Sequence, residues 1–140
     1  MTASIQPSKV TRTIEANMVA PEDDRVYDAK FRYSTSDPWA VAVDFWFAGQ
    51  FQTTWVFGRQ LLTDGLLAQS GEGDVRIGPC PEDTDVITIV LQSPSGRAEF
   101  MLDGYSIGEW LDWTYDEVPA GYEDFLLDFD AELRKMIAGH

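Results

Sequence analysis

Proton transfer, nucleophilic attack and metal binding each need particular side chains held together, and most of those side chains are missing here. His140 is the sole histidine and the last residue of the sequence, so no imidazole is expected in a packed site beside a serine, a cysteine or a metal. Cys80 is the sole cysteine and sits between Pro79 and Pro81. The nearby Glu82, Asp83 and Asp85 oppose a thiolate, which makes it an inert loop cysteine, and one cysteine allows no intrachain disulfide. Gly71-Glu72-Gly73-Asp74 lacks the lysine and hydroxyl of a phosphate loop, and its acids repel phosphate, so it reads as a turn. Asp128, Asp130 and Glu132 alternate as in a calcium loop, yet the position for a turning glycine holds Leu133, and a solvated helix face fits better. The expectation is a protein with no catalytic residue, no metal and no cofactor.

The chain has 140 residues, 44% of them hydrophobic and 13% aromatic, with five Trp. That composition folds, and as one domain spanning residues 1–140. Ten basic residues against 24 acidic ones leave a net charge of -14, a field that repels phosphate backbones and anionic membrane surfaces. No apolar run reaches the roughly 18 residues that mark a membrane span, so no direct membrane insertion is expected. With no disulfide and no secretory leader, a reducing cytoplasm is the expected home.

Residues 1–24 commit least: Val10 and Ile14 lie among Lys, Arg and Thr, and the run closes on Pro21-Glu22-Asp23-Asp24, a weak edge strand and turn. Tyr27, Ala29, Phe31 and Tyr33 then alternate with Asp28, Lys30 and Arg32, a strand with one wet face. Past Ser36-Asp37-Pro38, the run Trp39 to Phe47 places Val41, Val43 and Phe45 on one face and Asp44 and Trp46 on the other. Gly49 and Gln50 turn the chain into a third strand over Thr53 to Phe57. Leu61, Leu62, Leu66 and Leu67, broken by Gly65, predict a short or kinked helix. Val75 and Ile77 form a short strand stopped by Pro79-Cys80-Pro81, and Val86 to Leu91 is apolar except for Thr88, a central strand buried on both faces or covered by helices. Ala98, Phe100 and Leu102 return beside it.

The last third turns helical. Ser106 with Glu109 makes a capping box, Ile107, Trp110, Leu111 and Thr114 share a face, and Pro119 with Gly121 ends that helix. A final helix carries Tyr122, Leu126, Phe129, Leu133, Met136 and Ile137 as its stripe, with Glu123 and Asp124 at its start and Arg134 and Lys135 near its end. The order predicts an α+β fold, an antiparallel sheet with helices packed on one side.

Core packing accounts for Trp39, Trp55 and Trp110. Trp46 faces away from its strand's apolar side and Trp113 lies off the Ile107 and Leu111 face, which makes both candidates for a partner surface. Phe51 at a hairpin tip joins Trp46 as apolar exposure suited to an interface between copies of the chain. Residues 103 to 140 hold ten acids and two bases. Asp112, Asp116 and Glu117, at a helix end and the following turn, therefore form an acidic surface suited to a basic partner.

The runs Asp37-Pro38-Trp39-Ala40-Val41, Thr54-Trp55-Val56-Phe57-Gly58-Arg59, Leu61-Leu62-Thr63-Asp64-Gly65-Leu66 and Gly71-Glu72-Gly73-Asp74-Val75-Arg76 resemble the SsgA-like sporulation and cell-division proteins of actinomycetes. Leu91 to Gly96, Trp110 to Thr114, Val118 to Gly121 and Asp128 to Leu133 continue the resemblance in order and spacing across residues 25–138. It implies a noncatalytic cytoplasmic regulator concentrated at division septa, whose partners are itself, other SsgA-like proteins or the tubulin-like GTPase FtsZ. It also implies a curved antiparallel sheet similar to that of the whirly single-strand nucleic-acid binders, assembled as a homotrimer. Asp112 and Trp113 stand where members of the family tend to be basic.

Within these motifs the expected roles are mainly structural. Pro38 sets a turn backbone and Asp37 bonds its amides, while Trp55 packs. Gly58 and Gly65 permit positive φ, and Arg59 and Arg76 pair with Asp64 and Asp74 beneath the loops, with a binding role for Arg59 as the alternative. The fold analogy makes a single-stranded nucleic-acid module the rival reading, and paired carboxylates in a cleft a third. With -14 of net charge, single-stranded DNA and RNA are expected not to bind measurably at physiological salt in a filter assay. Saturable binding that falls steeply with added salt would reveal a local basic groove and reverse that expectation.

Overall fold

The computed structural model describes residues 9–20 and 24–138; the start of the expected first strand and turn, with Pro21, Glu22 and Asp23, and the terminal His140 lie outside the described residues. Among the described residues seven strands, β1 (Lys9–Met18), β2 (Val26–Ser34), β3 (Ala40–Phe47), β4 (Gln50–Gly58), β5 (Val75–Cys80), β6 (Asp83–Ser93) and β7 (Gly96–Asp103), form one antiparallel sheet in the order β4-β3-β2-β1-β7-β6-β5. The helices α1 (Arg59–Gly65), α2 (Gly104–Glu117) and α3 (Glu123–Ala138) give the expected α+β architecture.

The first strand is not at an edge. β1 lies in the middle of the sheet, paired with β2 from Lys9↔Ser34 to Asn17↔Val26 and with β7 at Asn17↔Met101 and Met18↔Phe100. A central strand in a one-sided antiparallel sheet needs apolar residues on a single face only. Buried Ile14 and Ala16 supply that face, while Thr11, Thr13 and Glu15 look out to solvent. The apolar run of β6 conversely lies second from an edge and is not central. Its Ile87, Ile89 and Leu91 are buried, but Val86, Thr88 and Val90 are half-exposed on the other face. β5 runs on through Pro79 to Cys80, which is buried and donates from its thiol to Glu82 Oε2 at 3.0 Å, so this cysteine ends a strand and is not in a loop.

The contact between β1 and β7 is short, and α2 lies across the sheet beside it. Trp110 is fully buried against Phe31, with ring centroids 5.3 Å apart, and its Nε1 donates to Val10 O at 3.4 Å. The helix is capped by Asp103, whose carboxylate accepts from Ser106 N at 3.1 Å and Ser106 Oγ at 2.6 Å. Ser106 is thus a donor inside the first turn instead of the cap. Glu109 is left to pair with Arg12 at 2.7 Å.

Of the stripe expected along the final helix, the side chains of Leu126 and Phe129 lie outside those described. Glu123 is buried, whereas Tyr122, Met136 and Ile137 are exposed and Leu133 is half-buried. Side-chain ties in the first turn of α3 join it to the rest of the fold, Glu123 to Arg59 and Asp124 to Trp39.

The glycines of the strand-to-helix break do not take positive φ, and Gly65 is closely packed. Gly58 is extended at φ -68, and positive φ occurs at Gly71 and Gly73 of the following loop. Gly65 lies against β5, where an added Cβ would stand 2.5 Å from Ile77 Cγ2. Gly65→Ala is therefore expected to lower unfolding free energy by about 1–3 kcal/mol through overpacking, measured by urea denaturation. An unchanged midpoint would mean that α1 can slide away from β5 at no cost.

Candidate functional site

Arg59 opens α1 with its side chain buried, so its five N–H donors need partners inside the protein. Its Nη1 donates to Thr114 O at 3.0 Å near the end of α2, and its Nη2 donates to Glu123 Oε1 at 2.6 Å in the first turn of α3. The guanidinium also lies over Tyr115, 3.9 Å from the ring centroid, and Tyr33, 4.9 Å away. Tyr115 shares a 2.6 Å hydrogen bond with Thr63, Tyr33 OH donates to Pro38 O at 2.8 Å, and Gly121 N donates to Glu123 Oε2 at 2.9 Å. One cation thereby joins β2, the β2–β3 turn, α1, α2 and α3.

The surroundings hold these groups in fixed protonation states. Burial pushes the Tyr33 phenol up to about 12, partly opposed by the Arg59 charge, so it remains a donor. Burial also pushes the Glu123 carboxyl up, but its own backbone N–H, the Arg59 guanidinium and the Gly121 N–H outweigh that and leave it below its usual 4.5. This chemistry is structural: both members of the ion pair are consumed by each other.

The expected pairs of Arg59 with Asp64 and of Arg76 with Asp74 are not formed. Asp64 accepts from Gln60 Nε2 at 2.9 Å, Arg76 and Asp74 are exposed, and the Asp74 carbonyl accepts from Gln92 N at 2.9 Å. Arg59 points inward because the start of α1 faces the two C-terminal helices, not its own loop. Asp37 closes its turn through the backbone, its N–H reaching Ser34 O and its carbonyl accepting from Ala40 N. Trp55 is half-buried. Trp39 is 45% exposed rather than in the core, because its indole lies at the rim and donates to Asp124 Oδ1 at 3.2 Å.

The surface candidates fall on two separate faces. Trp46 and Phe51 are exposed at the β3–β4 hairpin, edge to face with centroids 5.5 Å apart, and Trp46 stands opposite Asp28 on the sheet's outer face. Trp113, Asp112, Asp116 and Glu117 are exposed on α2, on the helical side. Arg12 covers one side of Trp113 at 5.2 Å while holding Glu109. In the sequence, Glu123 is marked only as a favourable charge at a helix start, and nothing singles out Tyr33, Thr114 or Tyr115 as neighbours of Arg59. The one signal is that Arg59 sits at the head of an apolar helix. Among the described residues, no cluster of three His, Cys, Asp or Glu side chains is placed to hold a metal, and no helix is long and apolar enough to cross a membrane.

A curled antiparallel sheet with helices pinned to one side by a buried arginine is a small α+β scaffold whose distinctive residues, aromatic and acidic, lie on open surfaces. The model of the family described as "Streptomyces sporulation and cell division protein, SsgA" matches residues 27–123, and the chain belongs to this family. It is 38% identical over 122 residues to sporulation-specific cell division protein SsgB of Saccharopolyspora erythraea, covering 86% of each chain. It is 34% identical to SsgB of Thermobifida fusca over 133 residues, 94% of this chain and 96% of that one. The crystal structure of an SsgA-like sporulation-specific cell division protein from Thermobifida fusca superposes with a TM-score of 0.85 at 33% identity, covering 95% of this chain and 98% of that one. A solved SsgB structure, described with mutations that correlate to longitudinal cell division during sporulation of Streptomyces coelicolor, superposes at 0.80 with 32% identity, covering 89% and 99%. These relatives carry the names of division proteins, and a role in sporulation cell division follows for this chain.

Removing one partner of a buried pair strands the other charge, so Arg59→Met is expected to cost about 3–5 kcal/mol. Because folding lowers the Glu123 pKa, its ionic contribution is complete above the unfolded value near 4.5 and is lost as pH falls through the lower folded value. Melting temperatures between pH 7 and pH 3 should therefore fall more steeply for the wild type than for Glu123→Gln. Parallel curves would show that this carboxylate contributes nothing to acid sensitivity.

Proposed function

We propose that this chain is a noncatalytic adaptor of sporulation-specific division, working in the cytoplasm at septa, where it helps to localise or recruit FtsZ or another SsgA-like protein. The acidic end of α2 supports this role above all: Asp112, Asp116 and Glu117 are exposed, next to an exposed Trp113, on a helix whose last turn is pinned by Arg59. A rigid, charged surface with an aromatic side chain steers and orients a basic partner at little entropic cost. Exposed Trp46 and Phe51 support self-association, for which the family resemblance implies a trimer. A nucleic-acid role is weakened because Arg32 is committed to Asp44, at 2.6 and 2.8 Å, and Arg12 to Glu109.

Changing Asp112, Asp116 and Glu117 together to Lys is expected to weaken recruitment of the division partner while leaving the fold intact. Exposed substitutions of this kind usually change stability by about 0.5 kcal/mol or less each. Copurification from sporulating cells with the partner identified, alongside circular dichroism of the variant, is the measurement. A folded triple variant that still recruits at wild-type level would show that the acids serve solubility.

A further inference from the structure

Gly104 and Gly108 both lie in α2, and packing requires only the first. A Cβ at Gly104 would stand 2.7 Å from Asp85 O, whereas one at Gly108 would meet nothing closer than Leu66 Cδ1 at 3.9 Å, an ordinary contact, and Gly108 is not at positive φ. A glycine inside a helix is destabilising relative to alanine, so the fold itself gives no reason for Gly108. Its effect is to leave bare backbone on the floor of a groove of about 570 Å³ between α1 and α2. Half-buried Leu66 and buried Leu111 complete that floor, and the Thr63–Tyr115 hydrogen bond ties the two helices together beside it. Leu67 and Tyr105 form walls that are 82% and 76% exposed. Asp112 stands at the lip, one turn from Gly108 on the same face of α2. It is exposed and has no partner among the described residues, whereas Glu109 is held by Arg12. No Lys or Arg lines the groove among the described residues.

We infer that this groove seats an amphipathic helix of a protein partner, with a bulky apolar side chain over Gly108 and a Lys or Arg one turn along at Asp112. The inference rests on the adaptor reading and gives the partner's segment a chemistry. Leu66, Leu111 and a helix backbone stripped of its Cβ reward burial of an apolar side chain and let it approach closely. The positive charge follows from the unpaired Asp112 and from its surroundings, since residues 103 to 140 hold ten acids against two bases. The backbone groups of α1 and α2 are spent on their own turns and offer no ladder to an added strand, while a helix satisfies its own N–H and C=O groups. A small-molecule site encloses most of its ligand, and here Leu67 and Tyr105 stand largely in water.

The probe is a peptide of about 16 residues, roughly four helical turns, selected on the full chain from a phage-displayed library, then synthesised with a fluorophore and titrated by anisotropy. Selected sequences should carry a bulky apolar residue one helical turn from a Lys or Arg and should gain helicity on binding. Gly108→Ala should melt at a higher temperature than the wild type yet bind the peptide about threefold more weakly, a combination that a purely structural glycine does not give. Gly108→Leu, with its side chain in the groove, should weaken binding about thirtyfold or more, with circular dichroism checking its fold. If that variant does not fold, Gly108→Ala still decides. Asp112→Asn should weaken the peptide about fivefold, and a peptide with glutamine in place of its cation should bind Asp112→Asn and the wild type alike. Failure to select such sequences, full binding by Gly108→Ala or folded Gly108→Leu, or an Asp112→Asn effect that persists without the peptide's cation would each overturn the proposal. A smaller oligomer for Gly108→Leu in light scattering would assign the groove to a second copy and overturn it too. In sporulating cells, recruitment lost by the triple Lys variant but kept by Gly108→Leu would remove the groove and leave the adaptor reading standing. Recruitment kept by both, with the peptide bound as described, would remove the adaptor reading and leave the groove a helix-binding site.

Discussion

The ion pair between Arg59 and Glu123 is the constraint on which the rest of the helical side depends. A buried guanidinium is tolerated only when its donors are satisfied and its charge is met. Thr114 O, Glu123 and the faces of Tyr33 and Tyr115 do both here. Because these partners come from segments far apart in sequence, satisfying one side chain sets how α1, the end of α2 and the start of α3 meet the sheet. Trp39 adds a second tie from its backbone carbonyl to Arg59 N and from its indole to Asp124. The acidic surface of α2 inherits its position from this arrangement.

The sheet imposes a second division of labour. Its inner face takes the core and the helices, so the outer face is free to be polar, and there Arg32, Asp44 and Thr54 form a cross-strand cluster. The Arg32 hydrogen bond holds the Asp44 carboxyl below its usual value, burial opposes this, and the Thr54 hydroxyl assists. Trp46 interrupts that polar surface beside Phe51 at the hairpin where β3 and β4 turn. The aromatic and acidic surfaces are thus kept apart by the thickness of the sheet and its core. Occupying one of these surfaces would leave the other free.

Curling also explains why so aromatic a chain leaves a hollow. β1 joins β7 through two residue pairs, continued by the Val19 N–H on Glu99 O, so the two wings of the sheet meet at an angle instead of lying flat. α2 fills the angle on one side, with Trp110, Ile107 and Leu111 buried in the core. Toward β4 and the β6–β7 hairpin no helix is inserted among the described residues, and the hollow there, floored by Phe45 and Phe100, is walled by strands.

Short runs of residues already carry the order of strands and helices, the buried face of β2 and β3, and the scarcity of groups for acid, base or metal chemistry. Those properties are local: alternation of Tyr27, Ala29, Phe31 and Tyr33, or one histidine in 140 residues, is legible in neighbouring positions or by counting. The motifs suffice to mark the family for a similar reason, since each is a short run at a set spacing. The folded chain alone reveals that β1 is central, that Trp39 reaches a rim, that Asp103 and not Ser106 caps α2, and that Arg59 pairs with Glu123, 64 positions away. Strand neighbours and buried ion pairs are chosen by contacts between distant segments, and one half-apolar strand reads alike at an edge or in the middle of a one-sided sheet. An arginine's partner is invisible until the chain that carries it has folded back.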